Sequence, residues 1–495
     1  MTPGAYESFN PWREVILKST LAKALRAAMV VAFVFTASQP AALARQQTRP
    51  PDVSKSAARA GTPRWVRDGV IYEIYPRDFS DEGNFAGVTA QLDRLKELGV
   101  NILWLMPIHP IGQEEKKGPV GSPYAVRDYY AINPDYGTAA DLKRLVSEAH
   151  GRGMKVIIDV VANHTSWDSV MMKTPDFYVR DSSGKITFPH DWSDVAELNY
   201  DNPALRRYMI DMLKFWLRDY DLDGFRCDVA GEVPTDFWEE ARAELDRVKP
   251  DIVMLAEADK PELLVRAFDL DYSWPLHGTL NEVMRGRKGA SALRETWESD
   301  SAKYPPGALR MRFSHNHDEK RAVARFGEGG ALAASALMFT LDGVPMLYNG
   351  MEVGDTTESG DPALFYKLPI FWPIVKRRPE FPRFYQQFIA LRKANTALRG
   401  GSLQWVNNSD AARVVAFTRR DDAEEILVAV NFSNTPLNVT LEGFNGASFA
   451  DITPDTREPL PPGATEATRT RGVTLPTLSL DAWGYKIFRR YRPDR

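Results

Sequence analysis

The amino-acid sequence predicts an α/β fold: a (β/α)₈ TIM barrel with a small insertion after its third strand, followed by a C-terminal antiparallel β-sandwich. Three observations support this prediction. Eight apolar β-like runs alternate with helical stretches over residues 65–401. One polar segment interrupts this alternation, and only short β-runs occur after about residue 402. Continuous apolar strands separated by helices are typical of a parallel sheet covered by helices, and eight such units close most simply as a barrel. A doubly wound open sheet is the alternative topology.

The predicted strands are rich in Val, Ile, Leu and aromatic residues, as expected for strands buried on both faces. In chain order they are residues 70–79, 100–108, 155–164, 224–230, 251–258, 268–274, 311–318 and 343–350. The helical spacing between them is clearest over residues 203–220, where apolar side chains fall on one face. Those side chains are Leu205, Met209, Met212, Leu213 and Trp216. Asn202 and Pro203 supply a capping side chain and a first-turn proline, which predicts that the helix begins there.

Two segments depart from the alternation. Residues 165–201 are too many for a plain loop and too polar for a core, so they are predicted to form a small excursion after the third strand. After about residue 402, β-runs are separated by Asn, Gly, Pro and Asp, which predicts antiparallel β-structure over residues 402–495. That domain holds no acid–base constellation, so the working residues are expected in the barrel, residues 65–401.

Residues 1–44 are predicted to be a secretory signal peptide. Basic residues from Arg13 to Arg26 precede a short apolar run, and small residues suited to cleavage end the segment. The run is shorter than the about 20 residues needed to span a bilayer, although an uncleaved anchor is the alternative. Because no second hydrophobic span follows, we expect a mature protein without a membrane span, secreted or periplasmic. Residues 45–64, rich in Arg, Ser, Ala and Pro, are predicted to form a flexible leader.

Composition excludes several classes of protein. The 495 residues carry 62 Lys and Arg against 66 Asp and Glu, a net charge of −4, whereas a nucleic-acid partner requires a basic surface. The single cysteine rules out an intramolecular disulfide, and no cluster of Cys and His residues suggests a zinc site. The chain is therefore expected to be a globular protein of two or three domains.

Polar side chains end four of the predicted strands, and the C-terminal ends of strands are where barrels carry their working residues. These side chains are Asp159, Asn163 and His164 on the third strand, Arg226 and Asp228 on the fourth, Glu257 on the fifth, and Asn316, His317 and Asp318 on the seventh. A single polar residue at a strand end is ordinary loop chemistry. Four strands that end this way predict a functional site.

Alternation along the fourth strand separates two faces. Phe225 and Cys227 fall on one face, and Arg226 and Asp228 on the other. The apolar pair is predicted to pack against helices, which makes Cys227 a buried small hydrophobe rather than a catalytic thiol. Arg226 and Asp228 then point into the barrel, and the arginine is expected to keep the carboxylate ionised.

Asp228 and Glu257 end adjacent strands, which lie about 4.8 Å apart. Their carboxyl groups are therefore expected roughly 5 Å apart, a separation that suits a retaining glycosidase, whereas an inverting pair needs a wider gap to hold a water. Glu257 follows an apolar run, so desolvation is expected to raise its pKa and keep it protonated as an acid. A salt bridge to a nearby Arg or Lys is the alternative interpretation of Glu257.

The motifs around these residues resemble those of the α-amylase family of glycoside hydrolases. Four ordered regions are similar to the family pattern, and two shorter ones also match it. They are DVVANH at 159–164, GFRCDVA at 224–230, Glu257 within LAEADKPE, FSHNHD at 313–318, SPYAVRDYY at 122–130 and YNG at 348–350. The resemblance runs from about residue 68 to the C terminus and includes all three family acids.

The resemblance implies catalytic roles for those acids. Asp228 would be the nucleophile that forms a covalent glycosyl intermediate. Glu257 would be the general acid and then the base that activates water. Asp318 would hydrogen-bond the sugar hydroxyls and stabilise the transition state.

The resemblance also implies four substrate-binding residues. Arg226, His164 and His317 would hold the sugar in the reactive subsite, and Tyr124 would stack under its ring. For the two histidines and the tyrosine, a packed structural side chain is the alternative.

The residues after the proposed nucleophile depart from one large group of the family. Many calcium-dependent α-amylases have Lys-His there, whereas this chain has Gly231 and Glu232. This pattern resembles the neopullulanase and cyclomaltodextrinase branch, which favours short or cyclic maltooligosaccharides. Members of that branch usually dimerise through an extra N-terminal domain. Only residues 45–64 precede the barrel after the predicted cleavage, so the oligomeric state stays open.

The expected chemistry requires no cofactor, and a structural calcium ion is the open question. Asn163 is the candidate ligand, although a single Asn more often hydrogen-bonds a loop. Glu197 stands where calcium-binding members often have Asp, and the loop FSDEGNFAG lacks the aspartate-rich pattern of a second calcium site.

The expected function is hydrolysis of α-1,4-glucosidic bonds in starch fragments or maltooligosaccharides by a secreted retaining enzyme, with the α-glucan as its partner. An α-glucosidase or glycosyl-transferring member of the same family is one alternative, because water and an acceptor sugar compete for one intermediate. Loops such as 165–201 and 351–382 would decide between them. A non-catalytic barrel that only binds glucan is a second alternative, but such proteins normally lose an acid.

Overall fold

A closed barrel of eight parallel strands forms the body of the protein. The computed structural model describes residues 51–458 and 471–492, so the signal peptide predicted for residues 1–44 lies outside the described residues. The barrel strands are β1 (Ile71–Ile74), β2 (Ile102–Leu105), β3 (Lys155–Val161), β6 (Gly224–Asp228), β7 (Val253–Ala256), β8 (Leu270–Tyr272), β9 (Leu309–Arg312) and β10 (Val344–Tyr348). Each overlaps one predicted run, and β10 pairs back to β1. The doubly wound alternative is therefore wrong, because the sheet has no open edge.

Helices connect the barrel strands and pack around them. They are α1 (Arg64–Arg67), α2 (Pro76–Phe79), α3 (Phe85–Ala90), α4 (Leu92–Leu98), α5 (Ala139–Gly151), α6 (Pro203–Tyr220), α7 (Thr235–Val248), α8 (Leu263–Arg266), α9 (Trp274–Met284), α10 (Ser291–Ser301), α11 (Ala322–Thr340), α12 (Asp361–Leu364), α13 (Glu380–Ala394) and α14 (Thr396–Gly400). Helix α6 begins as predicted, because the Asn202 side chain accepts a hydrogen bond from the Ala204 N–H at 2.9 Å. None of the helices among the described residues is both long and apolar enough to cross a membrane.

The two faces of β6 are divided as the alternation predicts. Phe225 and Cys227 lie in the large apolar core that the helices share with the outside of the barrel. Arg226 and Asp228 lie on the opposite face, with Asp228 at the last position of the strand. Cys227 is a buried free thiol, which agrees with its predicted role as a small hydrophobe.

The excursion predicted over residues 165–201 contains a small sheet and two short turns of 3₁₀ helix. The sheet pairs β4 (His164–Ser166) with β5 (Val195–Glu197) in antiparallel register. The 3₁₀ turns cover Val170–Lys173 and Pro175–Phe177. Further 3₁₀ turns at Met351–Val353 and Trp372–Lys376 lie in the long loop after β10.

The described part of the chain after residue 401 is built of antiparallel strands. They are β11 (Ser402–Val406), β12 (Val414–Arg420), β13 (Glu424–Asn431), β14 (Leu437–Thr440), β15 (Ser448–Asp451), β16 (Arg471–Thr474), β17 (Thr477–Leu480) and β18 (Tyr485–Tyr491). Six of them form one sheet in the order β11-β12-β13-β18-β15-β16, and β14 pairs with β17. Side chains from both sheets share one apolar cluster, which includes Ala416, Leu427, Val439 and Leu480.

Residues 51–63 differ from the flexible leader expected for residues 45–64. The Arg59 guanidinium donates to Asp269 at 3.1 Å and to Asp246 at 3.0 Å, and the Arg59 N–H donates to the carbonyl of Leu264 at 2.8 Å. This part of the segment is tied to the barrel because its arginine pairs with a carboxylate that is already buried. The composition of such a segment predicts its polar character, but it cannot predict a specific buried partner such as Asp269.

Replacing Arg242 by methionine is expected to lower the free energy of unfolding by about 3 kcal/mol or more. Arg242 is 2% exposed and donates to Asp269 at 2.6 Å, so its loss leaves a buried carboxylate short of its closest cation. Arg247→Met is the matched control on the same helix, because Arg247 pairs with Glu244 at the surface and such pairs contribute less than about 1 kcal/mol. Urea unfolding of the two variants measures the difference, and equal stabilities would contradict the assignment.

Candidate active site

Six of the seven predicted site residues line one cleft at the C-terminal ends of the barrel strands. The cleft encloses about 500 Å³. The six are Tyr124, His164, Asp228, Glu257, His317 and Asp318. The seventh, Arg226, lies beneath the floor and is fully buried. The structure therefore brings together residues that are separated by up to 194 positions in the sequence and that end or follow five barrel strands, β2, β3, β6, β7 and β9.

The guanidinium of Arg226 joins three carboxylates. Its Nη1 lies 2.9 Å from Asp159 and 2.7 Å from Asp228, and its Nη2 lies 2.8 Å from Glu257. One planar cation thus contacts the acids at the ends of β3, β6 and β7. Asp228 and Glu257 therefore share one cationic partner.

Aromatic rings enclose the rest of the Arg226 side chain. The guanidinium carbon lies 5.1 Å from the centre of the Trp104 ring, 5.6 Å from Tyr272 and 5.7 Å from Tyr124. Burial alone would lower the pKa of this arginine, but Asp159 and Glu257 raise it well above its ordinary value. The site therefore holds one permanent positive charge out of contact with water.

One of the two carboxyl oxygens of Glu257 makes both of its contacts with neighbouring residues. Its Oε2 accepts a hydrogen bond from the Val229 N–H at 2.8 Å and also contacts Arg226. Val229 has a φ of 35°, which is strained for a β-branched residue. Burial raises the pKa of Glu257, as predicted, with Arg226 opposing the shift. The salt bridge that was the alternative interpretation is thus present inside the site.

The pKa of Asp228 does not follow the expectation that Arg226 sets its ionisation. Burial raises the pKa of Asp228 above its ordinary value, and the contact with Arg226 only opposes that increase. The side chain is 10% exposed, so loss of hydration outweighs one ion pair. Burial also raises the pKa of Asp159 to about 7, with Arg226 again acting in the opposite direction.

A second network begins at His317. Its Nδ1 contacts the Glu73 carboxylate, and its Nε2 donates to the Tyr124 hydroxyl at 2.7 Å. The Tyr124 hydroxyl in turn donates to Asp159 at 3.1 Å. Burial opposes protonation of His317, yet Asp318 and Glu73 together raise its pKa to about 9. The imidazole is therefore cationic at neutral pH, and both of its ring nitrogens donate.

Glu73 is the residue of this site that sequence reasoning missed. It lies on β1 and is fully buried, and burial raises its pKa. The available signal was a single charged residue inside the apolar run VIYEIY. A carboxylate in the middle of a strand buried on both faces requires a buried partner, and here that partner is His317.

Asp318, His164 and Tyr124 occupy the walls of the cleft. Asp318 is 32% exposed, lies 3.2 Å from His317 and accepts a hydrogen bond from the Asn316 amide at 3.1 Å. The Tyr124 ring stacks on His317 at 5.3 Å between ring centres, so it is held parallel to the imidazole. Burial lowers the pKa of His164 to about 4, which makes this imidazole neutral at pH 7.

Asn163, the candidate calcium ligand, contacts neighbouring protein groups, and its role as a ligand stays a prediction. Its side-chain amide lies 3.4 Å from the His164 ring, and its backbone carbonyl accepts from the Leu198 N–H. Calcium requires six or more oxygen ligands, most of them carboxylates or carbonyls. Among residues 51–458 and 471–492, no group of three or more His, Cys, Asp or Glu side chains is arranged to hold a metal ion.

The chain matches two family models and resembles known proteins over most of its length. The family model described as "Alpha amylase, catalytic domain" matches residues 73–195 and 186–409, and the model described as "Maltogenic Amylase, C-terminal domain" matches residues 403–470. The chain is 30% identical over 399 residues to "Alpha-amylase MalA" of Haloarcula japonica, a match that covers 77% of this chain and 57% of that protein. It is 28% identical over 430 residues to "Intracellular maltogenic amylase" of Bacillus subtilis, covering 77% and 71%.

Two solved structures extend the likeness to three dimensions. A maltogenic α-amylase, AmyB, from Thermotoga neapolitana has a TM-score of 0.78 and 30% identity, with 86% of this chain and 100% of that chain covered. An α-amylase from Lactobacillus plantarum has a TM-score of 0.75 and 31% identity at the same coverage. Barrel, excursion and C-terminal sheets thus occur together in known proteins.

Proposed function

This chain belongs to the α-amylase family of glycoside hydrolases, and from that membership we propose that it hydrolyses α-1,4-glucosidic bonds of starch fragments or maltooligosaccharides by double displacement. The observation that carries the proposal is the single guanidinium, Arg226, that contacts both Asp228 and Glu257. In a retaining glycosidase, one of two such carboxyl groups attacks the anomeric carbon while the other protonates the leaving oxygen.

The first displacement uses Asp228 as nucleophile. A carboxylate oxygen of Asp228 attacks the anomeric carbon, and the bond from that carbon to the leaving sugar's oxygen breaks. Arg226 favours the ionised form of Asp228 that this attack requires, against a burial that favours the protonated form. A carboxylate that folding holds in a poorly hydrated site is more reactive than one in water.

Glu257 supplies the proton for the departing oxygen. Its Oε2 is occupied by the Val229 N–H and by Arg226, so the transferable proton is carried on Oε1. In the second displacement Glu257 removes a proton from water, the water oxygen bonds to the anomeric carbon, and the bond to Asp228 breaks. Two inversions give net retention of configuration.

The remaining residues hold the sugar during both steps. Asp318, in the cleft wall, would accept hydrogen bonds from the sugar hydroxyls. His317 is cationic and would donate to them, while the neutral His164 and the half-buried Tyr124 ring would contact the opposite side of the sugar. Fixed groups of this kind stabilise charge that develops in the transition state without a cost of reorganisation.

Incubation of the purified protein with maltoheptaose, cyclodextrin, pullulan and sucrose tests the proposal. We expect maltooligosaccharide products from the α-1,4-linked substrates and no release of fructose from sucrose. Early accumulation of products longer than the substrate would instead establish the glycosyl-transferring alternative. Absence of turnover on all four would contradict the proposal.

The activity is expected to depend on pH through Asp228 and Glu257. A carboxyl group with a raised pKa keeps its proton to a higher pH, so the nucleophile is lost as the pH falls through a value above the about 4 of an ordinary Asp. For the same reason, Glu257 stays protonated at pH values where an ordinary Glu is ionised, which moves the alkaline limb upward. The profile of kcat/KM on maltotriose against pH measures both limbs. An acidic midpoint below about pH 4 would contradict this assignment.

We also propose that the protein is exported after cleavage near residue 44, because a basic segment, a short apolar run and small residues occur in that order. One relative is named intracellular, so export would be a property of this chain rather than of its relatives in general. N-terminal sequencing of protein recovered outside the cytoplasm tests the proposal, and a mature protein that keeps its first residues would contradict it.

A further inference from the structure

Glu73 is a fully buried residue of strand β1 that takes no part in the two displacements. Its backbone is paired with Trp104 of β2 on one side and with Tyr348 of β10 on the other. The Asn349 N–H, directly after β10, donates to the carbonyl of Glu73 at 2.9 Å. The barrel therefore fixes the position of this residue, because both neighbouring strands hold its backbone.

The Glu73 carboxylate pairs with the imidazole of His317. Its Oε1 contacts the His317 Nδ1, and its Oε2 has no hydrogen-bond partner among the described residues. Burial raises the pKa of Glu73, and His317 opposes that increase more strongly than Arg226 does. A carboxylate that has lost its water requires a compensating cation. Glu73 and His317 therefore form a buried pair in which the charge of each residue depends on the other.

The other ring nitrogen of His317 faces residues that line the cleft. Its Nε2 lies 2.7 Å from the Tyr124 hydroxyl and 3.2 Å from Asp318 Oδ1. The Tyr124 hydroxyl donates its one proton to Asp159, so it accepts a hydrogen bond from Nε2. With a carboxylate beside each ring nitrogen, an N–H is required on both, and a neutral imidazole has only one. The geometry of these contacts thus requires the doubly protonated ring.

Other charged groups act on the same ring. Burial lowers the pKa of His317 and Arg226 on β6 lowers it further, whereas Asp318 and Glu73 raise it to about 9. Asp318 is 32% exposed and Glu73 is fully buried, so water screens the contact with Glu73 less. The positive ring in turn lowers the pKa of three carboxyl groups, Asp159 on β3, Asp228 on β6 and Glu257 after β7.

We propose that Glu73 is a positioning residue of the reaction: its carboxylate holds Nδ1 of His317 so that the ring stays doubly protonated and presents its second N–H to the cleft. This inference rests on the proposed function, in which His317 donates to the sugar hydroxyls. Without the carboxylate, the ring is expected to lose a proton at or below about pH 6.5, the ordinary pKa of histidine. Glu73 therefore acts on the sugar through His317 and contacts no substrate itself.

The first test is the pH profile of kcat/KM on maltotriose for Glu73→Gln, which removes the charge and keeps the size of the side chain. The unaltered His317 has a pKa of about 9, so its charge is lost only as the pH rises through that value. In the variant, the charge is expected to be lost between about pH 5 and about pH 7. The activity of the variant relative to the unaltered protein should fall about tenfold or more across that interval, because a charged donor becomes neutral. A ratio that does not change with pH would overturn the inference.

Asp271→Asn is the matched control. Asp271 is also a fully buried carboxylate on a barrel strand, β8, but it pairs with Arg310 and accepts a hydrogen bond from the Tyr304 hydroxyl at 2.8 Å. Its loss is expected to lower Tm and to leave the shape of the pH profile unchanged. Glu73→Asp, which keeps a carboxylate, should recover part of the original profile. A control whose profile changes as that of Glu73→Gln does would show a general structural effect and contradict the inference.

NMR of the histidine ring nitrogens tests the pair without any substrate. The chain has seven histidines, and the signals of His317 are those that disappear in His317→Asn. We expect both ring nitrogens to be protonated at neutral pH in the unaltered protein, and only one of them in folded Glu73→Gln. A neutral ring in the unaltered protein would overturn the inference, whether or not the variant folds. If the ring is doubly protonated but the unaltered protein hydrolyses no glucan, the proposed function fails and the pairing does not.

Discussion

Replacing Asp228 by alanine is expected to lower kcat/KM on maltooligosaccharides by about 10⁴-fold or more, the loss typical of removing a nucleophile from residues that act as a unit. The covalent intermediate requires a carboxylate at this position, and the neighbouring acids are held by hydrogen bonds and ion pairs to other residues. Asp159 is held by Arg226 and Tyr124, and Glu257 by Arg226 and Val229. Neither can therefore take over the attack.

Stability and chemical rescue separate a catalytic loss from a folding defect. Because burial raises the pKa of Asp228, folding works against its ionised form at neutral pH, so the variant is expected to keep or exceed the original Tm. Azide should fill the space of the missing carboxylate and convert α-glucosyl fluoride into the β-configured glycosyl azide. Asp219→Ala, at an exposed position on helix α6, is the control that should change neither turnover nor Tm. Substantial turnover in folded Asp228→Ala, or an α-configured azide product, would contradict the assignment.

Replacing Glu257 by glutamine is the second change with a large expected effect, and that effect depends on the leaving group. On maltooligosaccharides, whose departing oxygen requires a proton, we expect a loss of about 10³-fold or more, of the order found for general acid–base groups. Fluoride leaves without a proton, so formation of the intermediate from α-glucosyl fluoride should be much less affected. The amide can keep the contact of its oxygen with the Val229 N–H, which preserves the local structure.

The comparison between these two substrates distinguishes a general acid from a residue that only supports the site. An acid that protonates the leaving group produces a large difference between them. A residue that only supports the site through Arg226 would lower both rates equally. Equal losses on maltotriose and α-glucosyl fluoride would therefore remove Glu257 from the role of general acid.

Much of the fold could be predicted because the barrel strands are short, apolar and evenly separated. Each of the eight predicted runs contains or overlaps a barrel strand, and the alternation along β6 identified the face that carries Arg226 and Asp228. Strand ends were less certain: the seventh run was predicted to begin at 311, whereas β9 covers Leu309–Arg312. The motif FSHNHD that follows it forms a loop, in which Asn316 donates to Asp318 while His317 contacts Glu73 on β1.

The contacts inside the site could not be predicted to the same extent. The sequence places Glu73 and His317 244 positions apart, and only barrel closure brings β1 and the end of β9 together around them. The direction in which the pKa of Asp228 shifts also depends on how deeply the surrounding residues bury it. The spacing of residues along one strand carries no information about that burial. Pairing of Arg59 with Asp269 across 210 positions is a third example of this kind.

The stereochemistry of the first product released tests the central claim most directly. Double displacement through Asp228 and Glu257 predicts that maltoheptaose gives α-configured reducing ends, with the β-anomer appearing later through mutarotation. Proton NMR of a reaction started with concentrated enzyme resolves the two anomeric signals before they equilibrate. Products released in the β-configuration would show a single displacement and would contradict a covalent intermediate on Asp228.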